Sequence, residues 1–125
     1  MILAEEVADW FVCDSGFQSP YMSFAVPTRS ECRTCVPDIV HFDGSARVQT
    51  VHASLTPLLH RTLSEWKAIS GIPILLNTSF NEREPIVETP ADALNTMKGA
   101  QLDGVFFADI GVLAAPIGLN NSGKT

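Results

Sequence analysis

The stretch Ile72-Pro73-Ile74-Leu75-Leu76-Asn77-Thr78-Ser79-Phe80-Asn81 constrains this chain more than any other. Five apolar or proline residues run without a charge and then break into Asn, Thr, Ser and, after Phe80, a second Asn. Such a run predicts a strand buried on both faces of a parallel sheet. Open α/β sheets hold their ligands outside the carboxyl ends of the strands. The amides and hydroxyls therefore fall where a site is expected, although Asn and Ser are also ordinary turn residues.

A chain of 125 residues can bury one domain's core. Its net charge of -6 disfavours sequence-independent nucleic-acid binding, which depends on neutralising phosphates. No apolar run reaches bilayer length, and the opening Met1-Ile2-Leu3-Ala4-Glu5-Glu6 lacks the basic start of a secretion signal. Three cysteines cannot all pair with one another, which points to a reduced, cytoplasmic setting.

Taken in order, Ile2 to Phe11 reads as an amphipathic helix with Leu3, Val7, Trp10 and Phe11 on one face. Tyr21 to Val26 reads as a strand stopped by Pro27. Asp43-Gly44 marks a turn between extended segments. Beyond it, alternation puts Arg47, Gln49 and Val51 on one face of a strand and Val48 and Thr50 on the other. An Arg there is either an edge solubiliser or an anion ligand, because its planar fork suits carboxylate and phosphate. His41 reads as a core histidine.

Thr56-Pro57 and Thr89-Pro90 each predict a helix start, with Thr as N-cap and Pro as the first helical residue. The first helix carries Leu59, Leu63, Trp66 and Ile69 as a core stripe and ends at Gly71. The second buries Ala93, Leu94 and Met97. Strand-like runs follow at Val105–Ala108 and Val112–Ala114, so the second half alternates helix and strand as βαβ units do.

Two motifs are discounted. Cys32-Arg33-Thr34-Cys35 has the spacing of half a zinc site, but no second pair completes it, so no metal is expected. Gly118-Leu119-Asn120-Asn121-Ser122-Gly123-Lys124-Thr125 matches the P-loop pattern, but that motif needs a following helix to cradle phosphates. Residues 116–125 are accordingly expected to be a flexible tail behind a domain spanning 1–115.

Read together, His41-Phe42-Asp43-Gly44-Ser45-Ala46-Arg47-Val48-Gln49-Thr50-Val51, Pro73-Ile74-Leu75-Leu76-Asn77-Thr78-Ser79-Phe80-Asn81 and Glu84-Pro85-Ile86-Val87 closely resemble the C-terminal domain of the O-carbamoyltransferases. That family modifies nodulation factors and antibiotics. The resemblance runs from about Leu3 to Leu113. It implies an α/β fold, a YrdC-like twisted mixed open sheet with flanking helices, here incomplete. It further implies that ATP and carbamoyl phosphate are used as substrates to make carbamoyl-adenylate, with magnesium left open. An N-terminal domain of the actin-like ATPase superfamily would then pass the carbamoyl group to the hydroxyl of a small-molecule or sugar acceptor.

Carried over residue by residue, Ser79-Phe80-Asn81 is similar to the family's S-x-N nucleotide signature. Arg47 stands where the family places an arginine on the phosphates. The resemblance thus implies Arg47 and Ser79 as catalytic residues and Arg47, Asn77, Thr78, Ser79 and Asn81 as ligands of nucleotide and carbamoyl phosphate, with Gln49 as a neighbour. The family's K-x-R segment is not matched here, which leaves Arg47 and Arg83 to face several negative charges. The chain is therefore expected to be half of a site, inactive alone. A non-catalytic docking domain and a nucleic-acid-binding YrdC-like module are the alternatives. The acidic balance argues against the second.

Overall fold

The computed structural model describes residues 1–81 and 84–116. It is a mixed α/β chain, as expected, with short strands and three α-helices among the described residues. The strands pair two by two: β1 (Ile2–Leu3) runs parallel to β4 (Thr50–Val51), β2 (Phe24–Pro27) antiparallel to β3 (Ser45–Val48), and β5 (Val105–Phe107) antiparallel to β6 (Val112–Ala114). Contacts cluster into two units, Met1–Asn77 and Thr78–Thr125.

The first unit is built on its opening residues. Ile2 and Leu3 do not begin a helix: they extend between two neighbours, and helix α1 is only Val7–Trp10, preceded by a 3-10 turn at Ala4–Glu6. The Ile2 N–H donates to Gln49 O on one side at 2.9 Å. On the other side Leu75 N–H donates to Met1 O at 3.1 Å, and Ile2 bridges Ile74 in antiparallel sense. Both Ile2 and Leu3 are buried, so helical pattern and strand pattern coincide there and burial on two faces decides for the strand.

The apolar run at 72–76 is accordingly not a strand of a parallel sheet. It makes one bridge, through Ile74, and is otherwise irregular. Pro73 has no N–H to give a ladder, and its carbonyl instead accepts from Leu3 N–H at 3.4 Å. Helix α2 (Pro57–Ser70) holds this segment from the side, because the Trp66 indole Nε1–H donates to Ile74 O at 3.0 Å. The predicted core stripe of α2 is only partly buried: Leu63 is sealed, Leu59 packs at the margin, Trp66 is at the rim and Ile69 is exposed. The helix stops at Gly71, whose φ of +76° is the left-handed cap expected from the sequence.

The strand after Asp43-Gly44 changes partners midway. Ala46 and Val48 are buried against β2 while Arg47 is exposed, as alternation requires. At Gln49 the ladder breaks, and Thr50 and Val51 join β1 with both side chains buried. Val51 therefore does not share Arg47's exposed face. The strand expected at Tyr21–Val26 starts three residues later, at Phe24, because Met22 adopts φ +56° and turns the chain.

In the second unit α3 (Pro90–Gly99) opens with a reciprocal capping box: Thr89 Oγ1 accepts from Asp92 N–H at 3.2 Å, and Asp92 Oδ2 accepts from Thr89 N–H at 3.0 Å. Ala93, Thr96 and Met97 are its buried residues, with Leu94 half-buried. The two strand-like runs read from the sequence are β5 and β6, which form an antiparallel hairpin closed through Gly111 at φ +63°. Four residues separate them, which is room for a turn and far too little for a crossover. The P-loop-like segment at 118–125 lies outside the described residues, as does Arg83.

Candidate functional site

A cavity of about 200 Å³ opens in the first unit beside β3. Its polar lining comes from Arg47 and Gln49 around the strand break, Asn77 at the end of the apolar run, and Asp38 and His41 from the preceding loop. Ile2, Phe11, Val48 and Ile74 supply its apolar floor. The strand break explains the arrangement. A chain that switches partners at Gln49 leaves that side chain outside either ladder, free to bond across.

The bonds are specific. Asn77 Nδ2 donates to Gln49 Oε1 at 2.6 Å, and Gln49 Nε2 donates to Pro20 O at 3.1 Å. Arg47 Nη2 donates to Met22 O at 3.3 Å. Asn77 Nδ2 also approaches Met22 Sδ at 3.5 Å. Met22 thus ties Arg47 and Asn77 together from a left-handed backbone that a side-chain-bearing residue rarely adopts. Nothing in the sequence signals this role, because a lone methionine before a strand carries no pattern.

His41 belongs to this cavity and not to the core: it is exposed, and its Nδ1 lies 3.2 Å from Ser45 Oγ. The Ser45 hydroxyl donates to Asp43 Oδ1 at 2.7 Å, so its oxygen is left to accept from His41 Nδ1–H. That bond assigns the proton of a neutral ring to Nδ1 and leaves Nε2 as the acceptor. The Ser45 hydroxyl, and after it the Ser45 amide, hold the Asp43 carboxyl below its ordinary range. Gly44, buried at φ +79°, makes this turn possible, with its N–H donating to His41 O at 2.9 Å.

The residues expected to form the site divide between the units. Arg47, Gln49 and Asn77 meet at the cavity of the first. Thr78, Ser79 and Asn81 lie in the second, Thr78 and Ser79 exposed. Asn81 Nδ2 donates to Glu84 O at 3.0 Å, while its Oδ1 is buried with no partner among the described residues. Among the described residues no group of three or more His, Cys, Asp and Glu is placed to hold a metal ion. Among the described residues no helix is long and apolar enough to cross a membrane.

An α/β domain with an arginine-lined polar cavity is the class defined by this fold and geometry. Residues 1–113 match the family described as Carbamoyltransferase C-terminus, and the chain belongs to that family. It is 39% identical over 106 residues to the nodulation protein NolNO of Sinorhizobium fredii, covering 83% of this chain and 16% of that protein. Against the nodulation protein NolO of Bradyrhizobium diazoefficiens the identity is 36% over 121 residues, 95% of this chain and 22% of the relative. Nodulation protein U of Rhizobium tropici is 44% identical over 66 residues, 53% of this chain and 12% of its own length. The chain thus spans about a fifth of the length of NolNO and NolO.

Proposed function

We propose that this domain binds ATP and carbamoyl phosphate and forms carbamoyl-adenylate, for transfer to a small-molecule or sugar hydroxyl by an actin-like domain of the same protein. In that reaction carbamoyl phosphate gives up its phosphate to water. A carbamoyl oxygen then bonds to the α-phosphorus of ATP, the α–β bridging bond breaks, and pyrophosphate leaves. Displacement at phosphorus asks for positioning and charge stabilisation more than for a protein nucleophile. Any magnesium would arrive on the ATP phosphates.

The observation that carries the reading is Arg47. Its guanidinium lines the cavity with one hydrogen bond, to a neutral carbonyl, and no ion pair among the described residues. Four of the five donors on its planar fork are thereby left for an anion. Asn77 and Gln49 supply neutral polar contacts that add no charge. Ser79, Thr78 and Asn81 are assigned to phosphate and ribose on the strength of the S-x-N resemblance alone.

The test uses the full-length protein. Arg47→Ala and Ser79→Ala should each slow carbamoyl-phosphate-dependent exchange of pyrophosphate into ATP by roughly two to three decades, about 2–4 kcal/mol of barrier. Arg47→Lys should rescue little, since a point charge does not replace the fork. Full exchange by a folded Arg47→Ala protein overturns the proposal.

A further inference from the structure

The cysteine pair discounted as a metal site is placed for different chemistry. Cys35 N–H donates to Cys32 O at 3.0 Å, closing the turn Cys32-Arg33-Thr34-Cys35 at the end of the 3-10 segment Ser30–Cys32. The ends of such a turn lie within about 7 Å of each other, which matches the roughly 4.4–6.8 Å between Cα atoms that a disulfide spans. Cys35 is exposed and Cys32 half-buried, and both are free thiols. Cys13, the third, is half-buried against the hydrophobic core.

Arg33, one of the two residues between Cys32 and Cys35, reaches the cavity's turn. Arg33 Nε donates to Thr28 O at 3.2 Å, and Thr28 N–H donates to Gly44 O at 2.9 Å. The guanidinium lies over Gly44 so closely that a Cβ there would come within 2.6 Å of Arg33 Nη2. Gly44 is followed directly by Ser45, which holds His41, and by β3, which carries Arg47.

We propose that Cys32 and Cys35 are a reversible redox pair, closed to a disulfide by glutathione disulfide, and that closure fixes Arg33 over Gly44 and so reaches the turn beside the cavity. The exposed Cys35 thiolate attacks one sulfur of glutathione disulfide and expels one glutathione thiolate. The Cys32 thiolate then attacks the Cys35 sulfur and expels the glutathione bound there. Two thiols are oxidised to one disulfide, one glutathione disulfide is reduced to two glutathiones, and the two cysteine protons pass to them through water. Burial first, then the neighbouring Glu31 and Cys35, push the Cys32 thiol up, so its thiolate is scarce and the exposed Cys35 is the first to attack.

Incubating the protein with glutathione disulfide should lower the number of iodoacetamide-labelled thiols from the three free cysteines to one. The intact mass should fall by two hydrogens, peptide mapping should join Cys32 to Cys35, and dithiothreitol should restore all labels. Three labelled thiols, a persistent glutathione adduct, or a bridge to Cys13 overturns the pair. Cys35→Ser, at an exposed position, should abolish the bridge; an intramolecular bridge that survives it also overturns the assignment. The coupling is read separately, from the backbone amide resonances of Gly44 and Ser45. They should shift on oxidation, and Arg33→Ala should suppress that shift while leaving the bridge intact. Unmoved Gly44 and Ser45 amides in the oxidised protein overturn the coupling.

Discussion

The two units differ in how much of their apolar content they bury. In Met1–Asn77 a core of Ile2, Val7, Phe11, Val26, Ala46, Val48 and Ile74 is sealed, and a second cluster of Leu3, Val51 and Leu63 adjoins it. In the described part of the second unit only Ala93, Thr96 and Met97 are buried, while Ile86, Phe106, Ile110 and Leu113 are mostly exposed. The first unit draws its stability from burial, where each fully buried large side chain contributes about 1.5–3 kcal/mol. The second leans on local devices, a capping box and a hairpin, each contributing about 1 kcal/mol or less. A cavity with bonded polar walls belongs to the first kind of structure, because side chains hold position only when the backbone beneath them is packed.

That contrast can be broken most directly at Phe11. Phe11→Ala should cost about 3–5 kcal/mol, and Leu63→Ala about 2–5 kcal/mol, read as faster amide exchange throughout the first unit's core. Phe106→Ala, at 60% exposure in the hairpin, should stay within about 0.5 kcal/mol. Equal losses at Phe11 and Phe106 would mean the two units do not differ in the way described.

The two Thr-Pro helix starts offer a finer comparison. Thr89 caps α3 through the Asp92 N–H, whereas Thr56 caps nothing: its hydroxyl donates backwards to His52 O at 3.5 Å. Thr89→Ala should therefore cost about 1 kcal/mol of helix stability, and Thr56→Ala only a few tenths. Helix content by circular dichroism in a urea series separates them, and a larger loss at Thr56 would contradict the geometry.

The smallest expected effect is electrostatic and belongs to the first unit. Glu5 Oε1 lies 2.8 Å from His60 Nε2, tying the first 3-10 turn to α2. Burial raises the Glu5 pKa, but a backbone hydrogen bond and then the His60 contact outweigh it, so the folded value lies below that of an ordinary glutamate. A depressed carboxyl contributes stability above its unfolded pKa, and that contribution is lost as pH falls through the folded value. The loss should therefore appear below about pH 4.5 and, for so exposed a pair, stay well under about 1 kcal/mol. Glu5→Gln should flatten that acid limb slightly while leaving neutral stability within error.

Much of this molecule was determined by the sequence alone. The helix starts at Pro57 and Pro90, the left-handed stop at Gly71 and the turn at Asp43-Gly44 all follow from local backbone chemistry, which acts wherever the residues occur. The exposed Arg47 between buried Ala46 and Val48 follows from the period of a strand. What only the tertiary structure decided is where pairing stops and starts. Ile2-Leu3 became a strand because neighbours were available on both sides, and Ile72–Leu76 failed to become one because Pro73 cannot donate. The bonds from Met22 to Arg47 and Asn77 likewise join residues 25 and 55 apart in the chain. Local propensity carries no information about such partners, because their free energy exists only once the chain has closed the loop that brings them together.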